Sequence, residues 1–443
     1  PPIFSPAADG CTAKQLVRKG GRKMLPAGGV SLLGLIGFMG IAWLFSIDRK
    51  RVNWRVIIWG LVLQFLFAAF IFIVPAGSRF FIAVNQAVVK ILDCAARGSE
   101  FAFGALAAGP GRQGSIGFIL AFQALPTIIF FSALIGTLYY LRIMPLIIRF
   151  FAKIFSLSMK ISGAEALAAA SNIFVGVESA FTVRPYLKKM TESELCTLLT
   201  AGMATVGSNV LALYVFSLQH VFPTIAGHLV SASILSAPAA IIMAKLIWPE
   251  SQRPETLGID AHPHYEKPDN FFLAIIQGAQ EGLKVIMGIV ALLIAVLGLT
   301  ALVDLLLGML HTGLSLKLLL GYLAYPLTWM LGIPSADVSH VAVLIGEKLV
   351  LTEMVAYIDL AKLLEAKVLT SPRSAVIAAY ALCGFTHVAS MAIFVGGISA
   401  LCPERTKDIS RVALRALMAA TLACLMTGSV AGVFYTGENL LGL

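Results

Sequence analysis

Apolar runs follow one another along this chain, each close to the roughly 20 residues that an α-helix needs to cross a bilayer. No other feature restricts the fold as much. The runs do not alternate apolar and polar residues, which speaks against a transmembrane β-barrel. Of 443 residues, 58% are hydrophobic and only 13% charged, against about 25% charge in a soluble domain. The expected class is an all-α polytopic membrane protein set in a lipid bilayer. A net charge of +10 is not read as a nucleic-acid surface, because the basic residues fall in short loops, where they orient a chain in the membrane. Asp48-Arg-Lys-Arg-Val-Asn-Trp-Arg55 is such a loop and is assigned to the cytoplasmic side. The six cysteines are scattered, with no CxxC pair, and are read as small apolar packing residues.

Two carboxylates break the pattern. Glu178 lies in Asn172-Ile-Phe-Val-Gly-Val-Glu-Ser-Ala-Phe-Thr-Val-Arg-Pro-Tyr186, and Glu353 in Thr352-Glu-Met-Val-Ala-Tyr357. Acids at membrane depth are costly and by default mark a substrate or ion pathway. Each lies beside helix breakers, the mark of a transporter with discontinuous helices. Segments 162–189 and 338–364 carry too many charges and breakers to span, and are expected to be re-entrant hairpins buried against protein.

Around them the order repeats. The expected spans are 30–47, 56–74, 116–150, 194–222, 224–248, 271–306, 374–401 and 412–433, with an amphipathic interfacial helix at 80–97. The spans at 194–222 and 374–401 are interrupted at mid-depth, at 205–209 and 383–390. Each follows an N-capping region, Thr191-Glu-Ser-Glu194 and Thr370-Ser-Pro372. The first hairpin follows three spans and the second follows six, so they enter from opposite faces. That is an inverted repeat of eight spans and two hairpins. Residues 1–29 are expected to be an arm, disordered or not native, and are not read as a signal peptide because no cleavage site follows the first apolar run. The Pro-rich linker 249–270 separates 30–150 and 151–248 from span 271–306 and from 307–443.

Asn172-Ile-Phe-Val-Gly176, Arg184-Pro-Tyr186, Met190-Thr191 with Ser193-Glu-Leu195, and Ala381-Leu-Cys-Gly-Phe385 resemble the concentrative nucleoside transporters, from about residue 30 to 436. The resemblance implies a homotrimer in the cell inner membrane. Spans 1, 2, 3 and 6 would form a scaffold against which the hairpins and remaining spans move as an elevator. It implies a sodium ion, the coupling cofactor, held by the Asn172 side chain, the Val175 carbonyl, the Thr205 hydroxyl and the Val206 carbonyl. These are all neutral oxygens, which suit a hard cation. It implies a nucleoside-like solute held by Val177, Glu178, Ser179, Val210, Glu353, Phe385, His387 and Ser390, with Glu353 accepting from ribose hydroxyls. The sequence departs from the family at three places. His387 stands where the family has Asn, Thr352 precedes the second acid in place of Asn, and Gly176-Val-Glu-Ser179 is one residue short, which alters the base side.

Several readings stay open on the sequence. Glu178 pairs with Arg184, or Glu353 with Lys348, in purely structural roles. His387 is a hydrogen-bonded core residue, a substrate contact, or a proton carrier, since histidine titrates near neutrality. A proton-coupled carrier of another polar solute, a non-transporting gate or receptor, and an intramembrane enzyme using Glu178 and His387 are the rivals to a cation-coupled nucleoside symporter. Nothing supports catalysis strongly: no Gly-x-Ser-x-Gly elbow surrounds a serine.

Overall fold

The computed structural model describes residues 27–109, 117–176, 178–311, 313–435 and 437, all helix, turn or loop apart from a single bridge between Ser162 and Leu257. Residues 1–26 of the arm, residues 110–116 and Val177 lie outside the described residues. Three helices come first: α1 (Ala27–Leu44), α2 (Trp54–Phe72), capped by the Asn53 side chain on Arg55 N–H, and α3 (Pro75–Phe103). The interfacial helix expected at 80–97 is thus longer at both ends.

The third span is shorter than 116–150. A turn at α4 (Leu120–Gln123) leads into α5 (Pro126–Tyr140), and a separate helix α6 (Ile143–Met159) follows. The chain turns at Arg142, which takes a left-handed φ of 62°. Arg149 and Lys153 lie on one face of α6 and Ile148, Ala152 and Phe155 on the buried face. The sequence reads as one long apolar run because α6 is amphipathic, and the one breaker by the corner, Pro145, falls in the first turn of α6, where a proline is tolerated.

The first hairpin descends through α7 (Gly163–Asn172), turns, and returns through the single turn α8 (Ser179–Thr182) and a 3₁₀ segment to Lys189. The first interrupted span is α9 (Glu192–Ala204) and α10 (Ser208–Leu218), and α11 (Ile225–Ile247) follows. Past the linker, α12 (Phe271–Leu310) is the longest helix, capped by Asn270. α13 (Leu316–Met330) leads to the second hairpin, α14 (Ser335–Val350) and α15 (Glu353–Glu365). The second interrupted span is α16 (Pro372–Leu382) and α17 (Val388–Leu401), and α18 (Thr406–Phe434) completes the fold. Among the described residues, six helices are long and apolar enough to cross a membrane, with shorter apolar helices at 28–44 and 388–401.

The two hairpins enter from opposite faces. Ile47 N–H bonds Ile247 O, and the first hairpin's root and the start of α9 bond the same end, through Gly163 N–H to Thr256 O (3.0 Å) and the Ser193 hydroxyl to Trp248 O (2.7 Å). The second hairpin's root meets the other end of α1, where the Ser31 hydroxyl donates to Leu331 O (2.7 Å) and Arg373 reaches Ser31 Oγ (2.8 Å).

Helix ends are satisfied by different means in the two halves. Thr191 and Glu194 form a reciprocal capping box on α9, as the sequence suggests. Ser371 does not cap α16. Asp337 from the second hairpin does so instead, accepting from Thr370 N–H (2.9 Å) and Ser371 N–H (3.2 Å). At the other root, Lys245 is buried with Glu165 (2.7 Å) and donates to Ser193 Oγ (2.8 Å). Removing one partner of such a pair costs about 3–5 kcal/mol, because a lone buried charge remains. The linker is stitched to α6 by Arg149–Asp260 (2.6 Å) and to the first root by Arg184–Glu266 (2.7 Å) and Lys189–Glu255 (2.5 Å).

Candidate substrate and ion site

Both interrupted spans break at the centre of the fold, and the breaks touch. Gly384 has φ +111°, and a Cβ there would lie 2.7 Å from Ala204 O at the end of α9. Cys424 of α18 sits between them, its thiol donating to Cys383 O (2.8 Å) with Ala204 O at 3.6 Å. Helix breaks free carbonyl and N–H groups that a continuous helix would use internally, so polar groups gather at one depth.

The tip of the first hairpin lies on the first break. Ser208 N–H donates to Phe174 O (3.0 Å). Gly207 lies so close to Gly176 that a Cβ would come within 2.8 Å of its nitrogen. The four expected cation ligands sit on these two joined segments. Asn172 is buried, its Nδ2 donating to Ala168 O (2.9 Å) and its Oδ1 accepting from the Ser179 hydroxyl (2.8 Å). The Thr205 hydroxyl donates to Ala201 O (2.9 Å), and Ser233 Oγ donates to Val206 O (3.2 Å). Val175 N–H bonds Ser171 O (3.0 Å), which leaves its carbonyl outside that turn. Carbonyl and hydroxyl oxygens carry two lone pairs, so the Asn172, Thr205 and Val206 oxygens each keep one for a cation.

Across the breaks lies a cavity of about 380 Å³ lined by Glu178, Val210, Glu353, Phe385, His387 and Ser390, among others. Ser179 is not on its wall, since its hydroxyl is turned to Asn172. Glu353 is buried, and its Oε1 accepts from the Tyr214 hydroxyl at 2.6 Å. Its Oε2 lies 3.1 Å from His387 Nε2 but out of line with the ring N–H, so it has no well-formed hydrogen bond. His387 caps α17. Its Nδ1 accepts from Ser390 N–H (3.2 Å), so the ring proton of the neutral imidazole lies on Nε2, toward Glu353. The Ser390 hydroxyl also bonds the Phe385 and His387 carbonyls, which holds the break rigid.

Neither structural pairing considered from the sequence forms. Arg184 goes to Glu266 on the linker. The Lys348 ammonium goes to Ala381 O and Cys383 O. Two site groups have no strong signal in the sequence. Tyr214 follows Val210 by four residues, on the same helix face, which is the one hint it offers. Asn209 lines both the central cavity and a second one, about 330 Å³, that opens past Glu178 to His264, Tyr265 and Glu266 of the linker.

The comparisons with known proteins bear on this geometry. Residues 33–106 and 228–432 match the N- and C-terminal regions of the Na+ dependent nucleoside transporters, and residues 121–221 match a nucleoside recognition region. The nucleoside permease NupC of Helicobacter pylori is 36% identical over 415 residues, 91% of this chain and 97% of its own length. The chain belongs to the concentrative nucleoside transporter family. Solute carrier family 28 member 3 of Mus musculus is 37% identical over 91% of this chain, which spans 58% of that relative's length. Within this transporter family, solved structures of CNTnw match across states. The inward-facing substrate-bound form has a TM-score of 0.86 at 35% identity, covering 93% of this chain and 99% of that one. An outward-facing variant has a TM-score of 0.87 at 34% identity, covering 94% and 99%. The family relatives are transporters, not enzymes.

Proposed function

We propose that this family member is a sodium-coupled symporter that carries nucleosides, or closely related ribosylated solutes, across the cell inner membrane by an elevator motion. The observation that carries the reading is Glu353 Oε2. It is a buried carboxylate oxygen without an aligned donor, on the wall of a cavity sized for a small solute. A vicinal pair of ribose hydroxyls would supply aligned donors beside the oblique one from His387, while Tyr214 keeps the other oxygen in place. Phe385 offers a flat apolar face beside it, and Glu178 and Asn209 form the opposite, base-facing end.

Sodium is favoured over a proton by two features. The oxygens around Asn172, Val175, Thr205 and Val206 are neutral, and the first hairpin rests on that break, so a cation there would order the hairpin that closes on the solute. By linkage, the solute would then raise cation affinity by the same factor. His387 is poorly placed as a proton carrier, because protonating Nδ1 would set its N–H against Ser390 N–H. A proton-coupled carrier of another polar solute is the second reading, favoured by Glu178 lying between the two cavities.

The proposed moving body is the two hairpins with α9–α11 and α16–α18. The proposed scaffold is α1, α2, α5 and α12. The apolar window of 192–218 is 89% buried and that of α12 only 6%. The bare α12 suits both lipid and the neighbouring copies of a homotrimer. Radiolabelled uridine and adenosine uptake into proteoliposomes, under an imposed sodium or pH gradient, tests the reading. Sodium-driven uptake supports it, proton-only uptake moves the coupling to Glu178, and no uptake under either gradient removes nucleosides as the cargo.

A further inference from the structure

A second cavity adjoins the one that Glu353 lines. It measures about 330 Å³, shares Glu178 and Asn209 with the first, and opens toward the linker. That is the end of the fold where Ile47, next to the basic loop 48–55, bonds Ile247. Both volumes fall in the range of small-molecule sites, about 300–1,000 Å³. A solute leaving the first cavity past Glu178 enters the second before it meets the linker.

The walls of this second cavity belong to different bodies. Glu178 and Phe181 come from the first hairpin and Asn209 from α10, whereas Tyr139 comes from α5 and Gln277 from α12. α5 and α12 touch through glycine. A Cβ at Gly278 would lie 2.7 Å from Ser132 O, and one at Gly136 would lie 3.1 Å from Ala274 O. Small residues let membrane helices approach closely, so this side is a fixed wall.

Tyr139 is the residue of that wall that asks for a ligand. Its side chain is 8% exposed, and its ring stacks on Tyr265 of the linker, with 5.2 Å between centroids and 29° between planes. A buried tyrosine hydroxyl normally has a hydrogen-bond partner. Among the described residues this one has none, so it is left to bond whatever fills the cavity. The Gln277 amide is likewise without a partner among the described residues, and it offers both donors and an acceptor. The rings of Tyr265 and Phe181 lie on the same cavity, and stacking on aromatic side chains holds any of the bases. Among the described residues no Lys or Arg lines the cavity, while Glu178, Glu266 and Glu281 do. Such a wall accepts the donors of a neutral nucleoside and repels a phosphate.

We infer that this cavity is a second nucleoside station, on the way out of the central site. The inference rests on the nucleoside reading above. The departing solute passes from Glu178 and Asn209 on the moving body to Tyr139 and Gln277 on the fixed wall, and it stays behind when the hairpin returns. Tyr139 and Gln277 lie apart from the hairpin that the cation orders, so this station fills without sodium.

Equilibrium dialysis of the purified full chain with radiolabelled uridine tests this. With sodium present, the unaltered chain should bind two uridines, one more tightly than the other. Omitting sodium should weaken the tighter site and spare the weaker. Glu353→Gln should also weaken the tighter site alone. Tyr139→Phe keeps the ring on Tyr265 but removes the hydroxyl. It should weaken the second site about two- to tenfold, the loss of one neutral hydrogen bond, without changing the sodium dependence of the first. Gln277→Leu, at an exposed position of α12, should do the same, and it decides the matter if Tyr139→Phe does not fold. Uridine monophosphate should not compete for the second site. A single uridine per chain, even at millimolar concentration, overturns the inference. So does a second site that both variants leave unchanged, that needs sodium, or that uridine monophosphate occupies. In each of those cases a sodium-linked first site that depends on Glu353 leaves the proposed function standing. No uridine at either site removes the nucleoside reading, and this station with it.

Discussion

Glu353 divides its two oxygens between the fold and the cavity, Oε1 held by Tyr214 and Oε2 facing the cavity 3.1 Å from His387 Nε2. Glu353→Gln keeps the shape but removes the charge and one acceptor, so uridine binding should weaken by about 1.5–3 kcal/mol. Isothermal titration of the purified protein measures this, and unchanged affinity would take Glu353 out of the site. His387→Asn keeps an N-cap for α17, because Asn is a good capping residue. It removes the ring facing Glu353 and should shift uptake toward ordinary nucleosides. A competition profile that stays the same would reduce His387 to a cap. The sequence makes the acids legible because charge at membrane depth stands out against apolar neighbours. It does not reveal Tyr214, whose ring reads as one more apolar residue of α10 until Glu353 is seen across from it. Nor does it reveal that Ser179 turns away from the cavity to Asn172, since serine fits either setting.

At the scale of elements, the contact proposed to tie cation to solute is the first hairpin's tip on the first break. Gly207→Ala would set a methyl group 2.8 Å from Gly176 N and 2.9 Å from Asn209 Oδ1. The tip must then lift, and the half-saturating sodium concentration for uptake should rise about five- to a hundredfold, by the cost of overpacking, about 1–3 kcal/mol. Uptake with unaltered sodium dependence would separate this contact from the ion site. Hairpins and breaks are readable in the sequence because Gly, Pro and charge interrupt otherwise uniform apolar runs. The corner at Arg142 and the cap from Asp337 are not. The first uses a left-handed non-glycine residue, and the second is made by a residue 33 positions from its partner Thr370.

For the whole molecule, the contrast between the enclosed helices and the bare α12 predicts that the protein runs as a trimer in mild detergent. Native mass spectrometry reads that directly, and a monomer with full uptake would leave the α12 face to lipid alone. The Arg149–Asp260 ion pair that ties the linker to α6 should hold over the range of pH in which uptake is measured. The hydrogen bond from Arg149 holds the Asp260 carboxyl below the usual aspartate range. Its contribution is therefore present above the ordinary value near 3.9 and goes only as pH falls through the depressed one. His264 N–H is bonded to Thr182 O (2.9 Å) inside the hairpin, and Asn270 caps α12. The six peptide steps between them work as a leash. Fully drawn out they reach roughly 20 Å, and any travel of the hairpin along the bare helix that needs more chain than that must first break the His264 bond. In the proposed elevator motion, the stroke would thus be limited by a short tether as well as by the shape of the two end states.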